Sequence, residues 1–164
     1  MSAVRNAGPA DLPRILDITN HAILTGTALW TISPATHETR GIWMAERQAA
    51  GLPVLVVEEH GIVQGFGSYG PFRPHDGFRH TVEHSLYIDP TAQRRGYGSA
   101  MLAALVAHAI SAGVHAMIGA VASENVASIV LHERHGFTVA GTLPETGRKF
   151  DRWLDLVFMH RLLG

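Results

Sequence analysis

Residues 89–102 read DPTAQRRGYGSAML, and they join an alternating strand to an apolar helix. Upstream, TVEHSLYI (81–88) puts Thr81, Glu83, Ser85 and Tyr87 on one face and Val82, His84, Leu86 and Ile88 on the other. Downstream, from about Gly98 to Ala112, Met101, Leu102, Leu105 and Ala109 share one helical stripe. A strand that enters a glycine loop and then a helix N-terminus builds an anion site. The first helical N–H groups lack intrahelical partners, and the positive end of the helix dipole points the same way. Gly96 and Gly98 let the backbone approach a ligand closely, while Arg94 and Arg95 add charge beside it or face solvent. A nucleotide P-loop is excluded, since its lysine and its spacing are both missing. A dinucleotide fingerprint is excluded too, because Met101 stands where its third glycine belongs.

Working outward, Asp11 can cap a helix carrying Leu12, Ile15, Leu16, Ala22 and Ile23. The pattern predicts a second helix from about Thr36 to Ala50, with Gly51 as its C′ residue. PVLVVEEHGIVQGFGSYG reads as two strands turning near Glu59-His60-Gly61, and GPFRPHDGF as a loop. After the glycine-loop helix come a buried strand (VHAMIGAVA), a short helix from Asn125 to His135, a strand at FTVAGTL, and a last strand at RWLDLVFMHRLL. The expected fold is mixed α/β (α+β in some schemes): a central mixed sheet of about seven strands flanked by four helices. With 164 residues and no repeat or linker, residues 1–164 are expected to form a single domain.

A net charge of −1 gives no nucleic-acid signature, and no apolar run approaches bilayer length, so neither nucleic acid nor membrane is an expected partner. The N-terminal residues lack a signal-peptide pattern, and with no cysteine there is no disulfide framework, thiolate nucleophile or zinc-thiolate site. A cytoplasmic location is the resulting expectation. HERH (132–135) does not read as a metal site, since its histidines are three apart and no third ligand is evident. His135 sits where a helix C-terminus favours it through the dipole.

Gln93-x-x-Gly96-x-Gly98 resembles the pyrophosphate loop of the GCN5-related N-acetyltransferases, and ENVASIVLHERHGF resembles their second coenzyme-binding helix. On that helix Asn125, Ser128 and His132 fall at i, i+3 and i+7, one stripe of amide, hydroxyl and imidazole. Over almost the whole length, through YGPFRPHDGFRHTVEHSLYIDP and GRKFDRWLDLVFM, the chain resembles the phosphinothricin and methionine sulfoximine/sulfone acetyltransferases. The resemblance implies acetyl transfer from acetyl-CoA to the α-amine of a small amino-acid analogue, usually in a homodimer. It implies coenzyme A contacts from Leu86, Tyr87, Ile88, Gln93, Arg94, Arg95, Gly96, Tyr97, Gly98, Ser99, Asn125 and Ser128. A peptide N-terminal acetyltransferase and a non-enzymatic coenzyme A sensor are the competing readings on this fold.

An amine must lose a proton before it attacks a thioester. Glu83 is the only acid on the strand entering the loop, and its family counterpart is proposed as the base; the alternative is a carboxylate in a salt bridge with Arg73 or Arg79. Backbone N–H groups from Leu86 to Ile88 can serve the oxyanion. Many relatives carry tyrosine where His132 stands, so the resemblance makes His132 the candidate acid for the leaving thiolate, whereas His84 reads as a packed structural residue. Without cysteine, direct transfer in a ternary complex is more economical than an acyl-enzyme. Arg73 and Arg79 are candidates for the substrate carboxylate, Thr81, in Glu83's row, is a further candidate for substrate binding, and Trp30, Phe78 and Trp153 are candidate pocket walls. Lys149, the sole lysine, belongs to the part of the family that reaches the site, in cis or across the dimer. Phosphinothricin-resistance members carry His where Leu154 stands, so RWLDL resembles the methionine sulfoximine/sulfone branch.

Overall fold

The strand-forming run Val54–Pro71 is interrupted only at His60 and Gly61, whose φ values of 52° and 77° make the tight turn between β2 (Val54–Glu59) and β3 (Ile62–Pro71). This hairpin is the heart of the computed structural model, which describes residues 2–164. β1 (Ala3–Asn6) pairs antiparallel with β2, and β4 (Thr81–Ile88) antiparallel with β3. β5 (Ala116–Ala122) runs parallel to β4, then β7 (Arg152–Leu162) and the edge strand β6 (Thr138–Lys149) follow antiparallel. The seven-stranded order is β1-β2-β3-β4-β5-β7-β6, so the mixed sheet expected from sequence is present.

Each face has its own core. Leu55 and Val57 of β2 pack with Met101, Leu102 and Leu105 of α3 (Tyr97–Ser111), beside which α4 (Val126–Arg134) lies. Val54 and Val56 pack on the other face with Ile15 of α1 (Leu12–Thr25) and Met44 of α2 (His37–Ala49). β2 is therefore apolar on both faces, which is why VLVV runs without alternation. α3 lies so close to β3 that a Cβ on Gly67 would come within 2.9 Å of Met101 Cγ.

Three boundaries differ from the sequence reading. Asp11 precedes α1, but its carboxylate takes the Gly8 N–H at 2.8 Å and the Arg5 guanidinium at 2.8 and 2.9 Å instead of capping that helix. α3 begins at Tyr97, one residue early. β6 continues past Leu143 to Lys149, because on an edge strand Pro144 costs no ladder bond, and Glu145 (φ 50°) is absorbed in a bulge whose N–H reaches Asp155 Oδ1 at 2.8 Å.

Candidate functional site

β4 and β5 pair only from Thr81↔Ala116 to His84↔Gly119. Beyond that point β4 continues along β3 to Ile88 and β5 along β7 to Ala122, so the two strands diverge. The gap is a cleft of about 240 Å³, lined by Glu83–Tyr87, Gly119–Ala122, Trp30, Asn125, Ser128 and His132. In an antiparallel strand alternate N–H groups point to opposite sides, so the free side of β4 from Ser85 to Ile88 turns its donors into this gap. That is where the sequence reading put the oxyanion donors.

Strand alternation separates the chemistry across the sheet. Glu83, Ser85 and Tyr87 face the α1/α2 side, and His84 faces α3 and α4. Glu83 is half-buried and, among the described residues, has no salt-bridge partner, so the ion-pair alternative is set aside. Burial raises its pKa, and the nearby charge of Arg73 only partly offsets this. Arg73 itself stacks on Phe72 at 4.3 Å and donates to the Phe72 carbonyl. Arg79 donates to the Asp76 carbonyl at 3.2 Å, and Phe78 packs edge-on against Phe72. None of these residues lines the cleft, and neither does Thr81, which shares Glu83's face of β4.

On the opposite face His84 and His132 are buried and stacked, ring centroids 5.0 Å apart, with Nε2 to Nε2 at 3.0 Å. The Ser128 carbonyl, which can only accept, is 2.6 Å from His132 Nδ1, so that nitrogen bears the proton. His132 Nε2 is then the acceptor, His84 Nε2–H the donor, and His84 Nδ1 is left buried with no partner. Burial lowers both pKa values, that of His84 to about 3. Both ring nitrogens of His132 are thus engaged, Nδ1 by the Ser128 carbonyl and Nε2 by His84, while the residue lines the cleft. His84 is packed as expected, yet it is also the hydrogen-bond partner of the very residue the family motif singles out.

The glycine loop lies at the far end of β4. Gly96 (φ 85°) is the N-cap of α3 and no side chain caps that helix, so the first-turn N–H groups remain available to an anion. Arg94 adopts φ 60° and is exposed. Arg95 pairs with Glu59 at 2.7 Å, and the same carboxylate takes the Tyr97 hydroxyl at 2.6 Å, so both side chains brace the loop from outside. Ser99 Oγ bonds His135 Nε2 at 2.8 Å and ties α3 to α4. Burial and the nearby Arg161 charge lower the His135 pKa. Asn125 caps α4 through Oδ1, which accepts the Ser128 N–H at 3.2 Å. The cradle therefore fits a diphosphate through backbone donors, with Asn125 and Ser128 at the cleft wall.

The loop after α1 roofs the cleft. Lys149, almost fully buried, donates to the carbonyls of Gly26 and Leu29 at 2.7 and 2.6 Å, and burial lowers its pKa. It holds the loop and does not line the cleft. Trp30 does line it, held by Nε1–H to the Thr27 carbonyl and packed where a Cβ on Gly147 would come within 2.2 Å of its ring. Trp153 is exposed beneath the Arg148 guanidinium. Sequence reasoning missed Glu59, and also Glu124, which takes Arg152 through two hydrogen bonds and steadies the same loop through Thr27. It missed Gly119 as well, although a glycine inside the buried run AMIGAVA does signal close approach by another group.

A strand pair that splays beside a half-buried carboxylate, with an uncapped glycine-led helix at its end, defines a transferase that takes an acyl group from a phosphate-bearing carrier. The chain belongs to the acetyltransferase (GNAT) family, whose model matches residues 16–137. It is 46% identical to an L-methionine sulfoximine/L-methionine sulfone acetyltransferase of Salmonella typhimurium, over 95% of this chain and 91% of that protein. It is 38% identical to a phosphinothricin N-acetyltransferase of Alcaligenes faecalis, over 98% and 82%. The solved structure of yncA, a putative acetyltransferase from Salmonella typhimurium with its cofactor acetyl-CoA, superposes with a TM-score of 0.97 at 44% identity, over 99% of this chain and 94% of that one. The chain is an acetyl-CoA-dependent N-acetyltransferase.

Proposed function

We propose that the acceptor is the α-amine of a small amino-acid analogue of the methionine sulfone, methionine sulfoximine or phosphinothricin type, acetylated directly in a ternary complex. The observation that carries the reading is Glu83: a half-buried carboxylate without an ion-pair partner among the described residues, at the point where β4 and β5 part. Its raised pKa moves it toward the pH at which a general base works best, and it accepts the ammonium proton directly or through one water. Acetyl-CoA supplies the activated acetyl thioester. Gln93 to Gly98 hold its diphosphate through backbone N–H groups, and the Leu86–Ile88 segment offers N–H donors to the thioester carbonyl oxygen.

Arg73, whose charge reaches Glu83, receives the acceptor carboxylate, with Arg79, Phe78 and Thr81 completing the rim. Trp30 walls the pocket, and Lys149 fixes the loop that presents it. Leu154, paired with Gly147 in β7, and the higher identity to the sulfoximine/sulfone relative both favour that branch over phosphinothricin. A homodimer in the cytoplasm completes the proposal. Val139, Leu143 and Trp153 are exposed on the β6/β7 edge and are the surface for such a contact; among the described residues no helix is long and apolar enough to cross a membrane.

The test is thiol release from acetyl-CoA with methionine sulfone, methionine sulfoximine, phosphinothricin and a short peptide. Turnover with the free amino acids that Glu83→Gln lowers by about 10²–10⁴-fold, with acetyl-CoA binding retained, is the expected result. No turnover with any free amino acid, or higher activity on the peptide, overturns the reading.

A further inference from the structure

A second cavity, of about 400 Å³, lies on Glu83's side of the sheet, between β4 and the two helices α1 and α2. It shares Leu29, Ser85 and Tyr87 with the β4/β5 cleft, so the two are neighbours along a common wall. Its one charged lining residue is Arg40.

Arg40 is held in place by α2. Arg40, Trp43 and Arg47 recur at i, i+3 and i+7, on the helix face turned toward β3 and β4. Trp43 meets Phe66 edge-on at 6.1 Å, and Phe66 meets Tyr87 at 5.4 Å. The Arg40 guanidinium stacks over Trp43 at 4.5 Å, which fixes its plane. Yet among the described residues it enters no salt bridge, and its Nε is buried with no hydrogen-bond partner. A half-buried guanidinium is normally matched by a carboxylate or by carbonyls, because its desolvation is otherwise uncompensated. Arg47 repels it from the same helix, and burial lowers the pKa of both. An arginine stacked, unpaired and facing a cavity is built to meet an acceptor atom brought in from outside.

The geometry of β4 indicates which part of a substrate that atom belongs to. Glu83, Ser85 and Tyr87 stand in one row, and at about 3.3 Å per residue Glu83 and Tyr87 are separated by roughly 13 Å. The charge of Arg73 acts on Glu83, while that of Arg40 acts on Tyr87. In an α-amino acid the carboxylate is bonded to the carbon that bears the reacting amine, so it must bind near Glu83, at Arg73. The side-chain end lies several bonds further away, and the row leads it toward Tyr87 and Arg40.

Resting on the function proposed above, we infer that this cavity is the pocket for the acceptor's side-chain end and that Arg40 reads strongly polarised oxygens on sulfur or phosphorus there. Sulfone, sulfoximine and phosphinate tails satisfy its free N–H donors. A thioether or hydrocarbon tail leaves the guanidinium desolvated and unpaired, and is disfavoured for that reason. Selectivity for the oxidised tail is thus a property of α2, separate from the rim that holds the carboxylate.

The experiment compares kcat/KM for methionine sulfone with that for methionine, in the wild type, in Arg40→Met, which keeps an unbranched side chain against Trp43, and in Arg40→Lys. The sulfone-to-methionine ratio is expected to fall by about 10- to 100-fold in Arg40→Met, the worth of a charge-assisted hydrogen bond, and Lys is expected to restore part of it. The KM for acetyl-CoA and the melting temperature report on folding; should Arg40→Met not fold, the ratio in Arg40→Lys, expected to fall less steeply, decides. An unchanged ratio, or a loss shared equally by both acceptors, overturns the inference while leaving the acetyltransferase reading intact. A wild type that acetylates neither amino acid overturns both.

Discussion

Replacing Gly119 with alanine tests the packed histidine pair more directly than replacing either histidine. A Cβ at this position would lie 2.7 Å from His132 Nε2 and 2.9 Å from His84 Nε2, well inside ordinary van der Waals contact. Neither ring can retreat freely. Phe137 stands edge-on to both, at 5.6 and 5.2 Å, and His132 Nδ1 is held by the Ser128 carbonyl. Overpacking in such a place costs about 1–3 kcal/mol. If the 3.0 Å imidazole bond breaks as well, a second buried nitrogen loses its partner, at about another 1 kcal/mol or more. The total is about 2–4 kcal/mol, which for a domain of this size lowers Tm by roughly 5–15 °C. Gly141→Ala is the control, since its added Cβ would meet no heavy atom within 4 Å, and a surface change of that kind stays within about 0.5 kcal/mol. Thermal unfolding of both variants is the measurement. If Gly119→Ala melts no lower than Gly141→Ala, the two rings do not fill the space beneath β5, and the tautomer assignment built on their contact falls with it.

Acidification probes the same pair. His84 has its pKa depressed to about 3, so below its unfolded value near 6.5 the unfolded chain binds the extra proton first. Stability is therefore full above about pH 6.5 and falls as the pH drops toward 3; in urea titrations His84→Gln, whose amide can still donate to His132, is expected to flatten that slope. Gly96→Ala places a Cβ at φ 85°, which costs about 1–2 kcal/mol, and it is expected to raise the KM for acetyl-CoA more than that for the acceptor. Lys149→Met leaves the Gly26 and Leu29 carbonyls without their buried donor. A Tm drop with a raised acceptor KM is expected, through the loosened Trp30 loop, and an unchanged acceptor KM would show that Lys149 serves stability alone.

Much of this protein could be read directly from residue order. The strand-loop-helix unit at 81–111 is local, and its alternation, glycines and helical stripe act within a few residues of one another. What escaped was set by distant segments. Arg95 reads as charge beside a phosphate or as solvent-facing, and its partner Glu59 lies on a different strand. Lys149 reads as part of the segment that reaches the site, and the carbonyls it meets in the first helix's exit loop lie 123 and 120 residues away in sequence. The length of β6 was hidden by Pro144, a residue that ends a central strand but is harmless at an edge. His132 was read through the tyrosine of its relatives, and only tertiary packing brings His84 to its Nε2.

Side-chain alternation on one strand explains why acceptor and donor can meet without mixing their environments. Glu83, Ser85 and Tyr87 look toward α1 and α2, where an unpaired arginine waits in a cavity. The next residue in the chain, His84, looks the other way, where it stacks on His132 beside Phe137. A single strand thus offers the amine a polar side and the carrier a dry one. A gap opens between the two sides where β5 leaves β4 after Gly119. Gly119 closes the bottom of that gap because its missing side chain is the space in which the two rings meet. A sheet that stayed paired beyond this point would keep every β4 donor in its ladder and close the cleft; the four residues from Ser85 to Ile88, over which pairing with β5 is given up, are what the proposed transfer relies on.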